Sequence, residues 1–407
     1  MVDETASFRF GQSRRVAVVA YVEYAWDPRV RGEAEALVDD GYSVDAITAR
    51  PSRGESPGWL NGVHLHEVPL DIKRGGKLRY LFQYGMFLIL STVVLWRLHR
   101  KDPFHSVHVH SLPDVEIFCA LPLRIQGTPA ILDLHEGMPE ILAARFHRDF
   151  ASTLVRLAVL AEQVSCRFAT HVIAANDGIR GAIVGRGTPW DHVTTVYNVG
   201  VTQESSLRGT PRVESTGLQQ GPLLVHAGGI NRERDLETLL DAIARLRPGI
   251  DVHLIIAGEG DPKYVAGLKR TARDLGIGGQ VEFIGRVPHE SALDLMSKAD
   301  VGVVTLEANP LTEIAWPTRI VEFTALGKAL IVPRLTFLQR ILGEGAQYYE
   351  PGNPDSLRTA LERALLFPEQ SQLSVAKAVA ACAKLGLEPM RNSLRLVYQT
   401  VEDSYAT

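Results

Sequence analysis

Between Asn309 and Pro333 the chain reads NPLTEIAWPTRIVEFTALGKALIVP, and no other stretch restricts the fold as much. The preceding ADVGVVTLE is mostly apolar and rich in valine, as expected of a strand buried on both faces of a parallel sheet. Pro317 suits the first position of a helix, with Ile320, Val321, Phe323, Thr324 and Leu326 wrapping it until Gly327 stops it. ALIVP then reads as a second buried strand. Such a unit leaves backbone N–H groups unpaired at the helix start, around Pro317, Thr318 and Arg319, and so offers an anion site above the carboxyl edge of the sheet. Glu322 stands one turn further on, where a carboxylate can bind a ribose diol. The unit reads as a nucleotide site.

The rest of the chain repeats the same strand-helix alternation. RRVAVVAYV (14–22) is an opening strand, and Asp27-Pro28 starts a helix that runs to about Asp40 and ends at Gly41. No G-x-G-x-x-G lies in the first turn, which argues against a dinucleotide. Arg29 and Arg31 sit in the first helical turn, where they could meet phosphate. SVHVHSLPDVEIF and TPAILDLHEGMPEIL each place a histidine, His110 and His135, at the carboxyl end of a strand, the edge at which doubly wound sheets bind ligands. Glu136 and Glu140 follow the second. Further along, PLLVHAGGINRERDLETLLDAI is strand, glycine turn and helix. Gly228 and Gly229 let the backbone approach a ligand, and Arg234 can grip a diphosphate. A strand ending in Gly258-Glu259-Gly260 and the turn IGRVP, with Arg286 and Val287, continue a second sheet from Pro222 through Tyr349. Helices are expected from Pro354 to Phe367, Gln370 to Leu385 and Pro389 to Ser404.

A length of 407 residues points to two domains. Thr202 to Gly221 has the composition of a linker. A formal charge of -4 gives no broad basic field and argues against nucleic acid as partner. Cys119, Cys166 and Cys382 lack metal-ligand spacing and read as buried thiols in a reducing cytosol. The start lacks the apolar core of a signal peptide. LRYLFQYGMFLILSTVVLWRLHRK (78–101) falls short of the roughly 20 apolar residues that cross a bilayer. It reads either as a core crossover helix or as a surface helix whose basic ends, with Lys73 and Arg74 before it, rest on an anionic membrane.

The 309–333 unit, the phrases HVHSLPD and LDLHEGMPE, and DPRVRGEAEALVDDGYSVDAI together resemble the retaining family-4 glycosyltransferases of bacterial type. The resemblance implies an α/β fold of two Rossmann-like domains facing across a cleft (GT-B). Residues 1–200 would bind acceptor, 201–388 would bind the nucleotide-sugar donor, and a final helix over 389–407 would pack back on the first domain. It implies transfer of a sugar from a UDP or GDP sugar to an acceptor hydroxyl with retention, with no metal and no cofactor. No Asp-x-Asp occurs in the chain. His135 would face the donor sugar, and Arg234 with the helix N–H groups would meet the leaving diphosphate. The family carries two glutamates eight positions apart, the first on the sugar and the second on the ribose. Glu322 matches the second, whereas the first falls on Ile314, beside Glu313. The arginine usual after the first glycine is replaced by Gly229, with Arg232 as a stand-in. The turn IGRVP would hold the base. Arg29, Arg31, His110 and Glu136 are the acceptor-side candidates. The acceptor would be a sugar, a lipid-linked or a small molecule, in polysaccharide, glycolipid or natural-product synthesis. The expected location is the cytoplasm, or its border at the inner face of the membrane if the 78–101 helix lies on the surface. Two alternatives are a nucleotide-sugar epimerase of the same architecture and a non-catalytic membrane-associated scaffold.

Overall fold

The computed structural model describes residues 14–50, 58–72, 77–146, 149–198 and 221–406. The N-terminal lead, Lys73, Arg74 and the expected linker up to residue 220 lie outside the described residues.

The first lobe carries strands β1 (Arg15–Ala20), β2 (Ser43–Arg50), β3 (Trp59–Leu60), β4 (Val63–Asp71), β5 (Ser106–His110), β6 (Ala130–Leu134), β7 (His171–Ala174) and β8 (Val193–Thr195). Its helices are α1 (Pro28–Asp39), α2 (Lys77–Lys101), α3 (Leu121–Arg124), α4 (Met138–Phe146), α5 (Thr153–Phe168) and α6 (Asp177–Gly185). The strands lie in the order β3-β4-β2-β1-β5-β6-β7-β8, and every neighbouring pair is parallel except the short β3–β4 hairpin. The chain first winds outward from β1 to β4, then α2 carries it back across to β5. The strand order therefore reverses between β1 and β5, and a crevice opens there at the carboxyl ends. Asp27 accepts from the amides of Arg29 and Val30 and caps α1 as its sequence predicts.

The second lobe holds β9 (Leu223–Ala227), β10 (His253–Ala257), β11 (Val281–Gly285), β12 (Gly302–Val303), β13 (Leu330–Pro333) and β14 (Gln347–Tyr349). Around them lie α7 (Leu236–Ala244), α8 (Pro262–Asp274), α9 (His289–Lys298), α10 (Pro310–Glu313), α11 (Thr318–Ala325), α12 (Thr336–Leu342), α13 (Pro354–Leu366), α14 (Pro368–Cys382) and α15 (Leu387–Ala406). The long strand expected over ADVGVVTLE is only two residues of ladder, and the sheet divides into the ribbons β11-β10-β9 and β12-β13-β14. The ribbons meet where the Asp300 amide donates to the Leu223 carbonyl at 2.9 Å. Gly302 is required at the join, since a Cβ there would lie 2.6 Å from Cγ of Phe323 on α11. Pro317 is likewise displaced from its expected place. With ψ of 118° it is extended, and it caps α11 from outside rather than opening it.

Helix α15 returns to the first lobe. Met390, Leu394, Val397, Tyr398 and Val401 are buried in the same core as Val16, Val18 and Ala20. At its margin Arg395 makes a two-pronged contact with Asp40 at 2.8 and 2.6 Å. The three cysteines are buried. Helix α2 buries Phe87 and Leu95 but exposes Leu81, Phe82 and Ile89. Among the described residues it is the one helix long and apolar enough to span a bilayer, and most of it is not buried.

Beneath α2, Ser91 donates to the buried Glu116 carboxylate at 2.7 Å. Burial pushes this carboxyl from 4.5 up to about 8, and the Ser91 hydroxyl opposes the shift only in part. The native state thus keeps a proton that the unfolded chain loses. The stability this group contributes is complete below its unfolded pKa and is lost as pH rises toward 8. Relative to the parent, Glu116→Gln is expected to gain up to about 1.4 kcal/mol of unfolding free energy per pH unit between pH 5.5 and 7.5, measured by urea denaturation.

Candidate active site

A cavity of about 510 Å³ opens between the lobes at the carboxyl ends of both sheets. Arg29, His135, Glu136 and Asn198 line it from the first lobe, and Arg234, Trp316, Thr318 and Arg319 from the second.

On the second-lobe wall, no side chain caps the amino end of α11, so its first-turn N–H groups are left for a ligand. Arg319 folds back over the glycine turn after β9. Gly228 has φ +133° and a Cβ there would lie 1.3 Å from the Arg319 guanidinium, so only glycine fits beneath it. Arg234 comes to the same wall from the turn before α7, its carbonyl accepting from the Thr305 hydroxyl at 2.5 Å. The Nε atoms of both arginines are buried without a hydrogen-bond partner. Among the described residues neither arginine belongs to an ion pair. Burial and then the charge of Arg234 bring Arg319 down to about 10, with Glu322 opposing. Burial also lowers Arg234, against the attraction of Glu233 and Glu136. Two cations thus face one crevice, which Glu136 and Glu233 also line, with neither cation held in an ion pair, an arrangement that suits an anion with two charged groups. Glu322, one turn into the same helix, is buried 4.0 Å from Nε2 of His289 and is not part of the lining of this cavity.

On the opposite wall, Nε2 of His135 lies 2.8 Å from Nδ1 of His110. Asp133 Oδ2 stands 3.0 Å from the His110 nitrogen and 3.2 Å from that of His135. Asn198 Nδ2 meets Nδ1 of His135 at 3.3 Å. Burial drops the His135 imidazole to about 3, and the attraction of Asp133 only partly offsets this. The ring is therefore neutral near pH 7. Arg29 is held by Asp27 at 3.2 and 2.8 Å, and in spite of burial this contact brings Asp27 down to about 2. Glu136 opens onto the cavity, with its carboxyl raised by burial against the pull of Arg29 and Arg234.

Other predicted site residues fall elsewhere. Arg31 turns to Glu35 at 3.2 Å. Glu313 accepts from the Thr336 amide at 3.2 Å at the start of α12 and does not take the place of the missing glutamate. Arg232 lies 5.5 Å over the Tyr264 ring and lines a neighbouring hollow, so it is no substitute for an arginine at Gly229. The Arg319 guanidinium lies over the preceding glycine, Gly228, and not at Gly229. Gly229 itself has open space beside it, and Gly258 is pressed on the Gly228 carbonyl. Arg286 reaches across the lobes to lie 4.7 Å over Trp26, while Val287 packs into the second-lobe core. His110 stands behind His135. The sequence reading passed over Asp133 and Asn198; a carboxylate in an otherwise apolar strand two residues before His135 was the available signal. Asp45, His64 and His66 have spacing that could hold a metal ion, but they are remote from this cavity.

The profile described as Glycosyl transferase 4-like domain matches residues 27–199, and that described as Glycosyl transferases group 1 matches residues 212–378. An uncharacterised glycosyltransferase of Methanocaldococcus jannaschii is 23% identical over 85% of this chain and 88% of its own length. The sucrose-phosphate synthase of Thermosynechococcus elongatus shares the fold with a TM-score of 0.72 at 17% identity, over 96% of this chain and all of that one (100%). HepE of Anabaena, solved with UDP and glucose, does so with a TM-score of 0.70 at 16% identity, over 95% of this chain and 100% of that one.

The unpaired arginines lead to a binding prediction that needs no substrate. Inorganic pyrophosphate is expected to raise the thermal midpoint of the protein, and Arg319→Gln to abolish that rise. Without ligand, the same variant is expected to melt no lower than the parent, because it relieves a repulsion. A differential scanning fluorimetry titration reads both.

Proposed function

The chain belongs to the group 1 glycosyltransferases, with a family-4-like first domain and GT-B architecture, and from that premise we propose that it moves a sugar from a nucleotide diphosphate to an acceptor hydroxyl with retention. The observation that carries the reading is the Arg234–Arg319 pair beside the uncapped start of α11, two buried guanidiniums that no described carboxylate pairs within ion-pair distance. A diphosphate supplies a counter-charge. In the transfer, the bond between the anomeric carbon and the phosphate oxygen breaks while the bond to the acceptor oxygen forms. The acceptor proton passes to the leaving phosphate, and the two guanidiniums and the α11 amides receive the growing charge. This uses no metal. The donor's ribose falls to Glu322 and its sugar to His135. The UDP bound by HepE supports a nucleotide donor.

Residues 201–388 are on this reading the donor-binding part, and 1–200 the acceptor-binding part. Arg29 and Glu136 face the acceptor end of the cavity. The acceptor is lipid-linked: α2 exposes Leu81, Phe82 and Ile89, an apolar face that ends in Arg97, Arg100 and Lys101 of the same helix and suits the anionic inner face of a membrane.

Two sets of measurements test this. Arg234→Ala is expected to lower turnover by about 10²-fold or more, and Glu322→Ala to weaken nucleotide-diphosphate binding in calorimetry. Normal turnover in the first, or unchanged affinity in the second, would remove that residue from the site. Conversion of donor with no acceptor present would instead indicate an epimerase. In vesicle flotation the protein is expected to rise with phosphatidylglycerol vesicles but not with neutral ones, and Leu81→Glu with Phe82→Glu to stay at the bottom.

A further inference from the structure

Behind His135 lies a buried array that the proposed reaction does not use. Asp133 is fully buried in β6, where an ionised carboxylate is costly unless its surroundings hold it. Its Oδ2 faces three imidazoles: His110 at 3.0 Å, His135 at 3.2 Å and His108 at 3.7 Å. The rings are stacked in series. His108 and His110 are 4.4 Å apart at 13°, and His110 and His135 are 5.1 Å apart at 12°. Neither neighbour can turn without giving up a stacking contact. Tyr398 of α15 closes the far end, its hydroxyl 3.2 Å from His108 Nδ1, and Glu33 stands 3.7 Å from His108 Nε2.

The 2.8 Å contact between His110 Nδ1 and His135 Nε2 has room for one proton only. Asn198 Nδ2, which can only donate, meets the other nitrogen of His135 at 3.3 Å, which places the shared proton on Nε2, directed at His110, with the Asp133 charge 3.2 Å from that nitrogen although its oxygens accept no hydrogen bond among the described residues. We infer that Asp133 is a positioning residue: it holds His135 from behind as the Nε2–H tautomer, so that Nδ1 meets a donor-sugar hydroxyl as a hydrogen-bond acceptor. The hydroxyl takes the place of the Asn198 amide, whose contact is the longest around the ring. That sugar contact rests on the function proposed above; the tautomer does not. An amide in place of the carboxylate can itself donate to Nε2 and drive the proton to Nδ1, where it would confront the hydroxyl with a second donor.

The test uses the full chain labelled with ¹⁵N-histidine, with His135→Gln assigning the resonance in long-range ¹H–¹⁵N spectra, which distinguish the tautomers. The parent is expected to show the Nε2–H form, and Asp133→Asn to shift toward Nδ1–H. In the same variant kcat is expected to fall about 100-fold with donor KM within threefold. His110→Gln, which spares Asp133, is expected to keep the Nε2–H form, and it decides the matter should Asp133→Asn not fold. An unchanged tautomer in Asp133→Asn, or a reversed one in His110→Gln, overturns the inference. A parent protein that transfers no sugar would instead count against the proposed function, and the spectra of the ligand-free protein would still decide the tautomer.

Discussion

Like charges held together in a partly desolvated crevice set the terms for this molecule. Arg319 and Arg234 repel one another, and burial alone would already disfavour their ionised forms. The fold maintains this arrangement by backbone means. Gly228 in a left-handed conformation makes room for one guanidinium, and the Thr305 hydroxyl fixes the turn that carries the other. On the function proposed above, an anion relieves this repulsion where the leaving group's charge would grow.

The opposite wall uses burial for orientation rather than for charge. Asp133, His110 and His135 converge within hydrogen-bonding distance inside a sheet core, and only the last reaches the cavity. The two walls come from separate lobes, so their spacing depends on what joins the lobes. Helix α15 runs from the second lobe into the core of the first, and Arg286 lies over Trp26 across the cleft. The same helix also closes the histidine array through Tyr398, which ties the inner end of the site to the element that spans the molecule.

Much of this organisation could be read in residue order. The alternation of valine-rich runs with capped amphipathic segments specifies parallel sheets crossed by helices, and Asp27-Pro28 starts α1 where expected. His135 and Arg234 both reach the cavity. Other side chains have partners that residue order does not show. Glu313 accepts from the Thr336 amide and Arg31 faces Glu35. The strand before Asn309 looks long, yet its ladder holds only two residues, and Phe323 presses on the first of them, Gly302.

The residue order by itself determined the class of fold, the location of an anion-binding helix start and the histidines at strand ends, because periodicity, capping and turn chemistry act over a few neighbouring residues. Only the tertiary structure decided that the Arg319 guanidinium lies over Gly228, that Asp133 lies against His135, and that Arg286 crosses the cleft to Trp26. Those relations join residues far apart in the chain. They depend on burial and on distances of a few ångströms that no local pattern encodes.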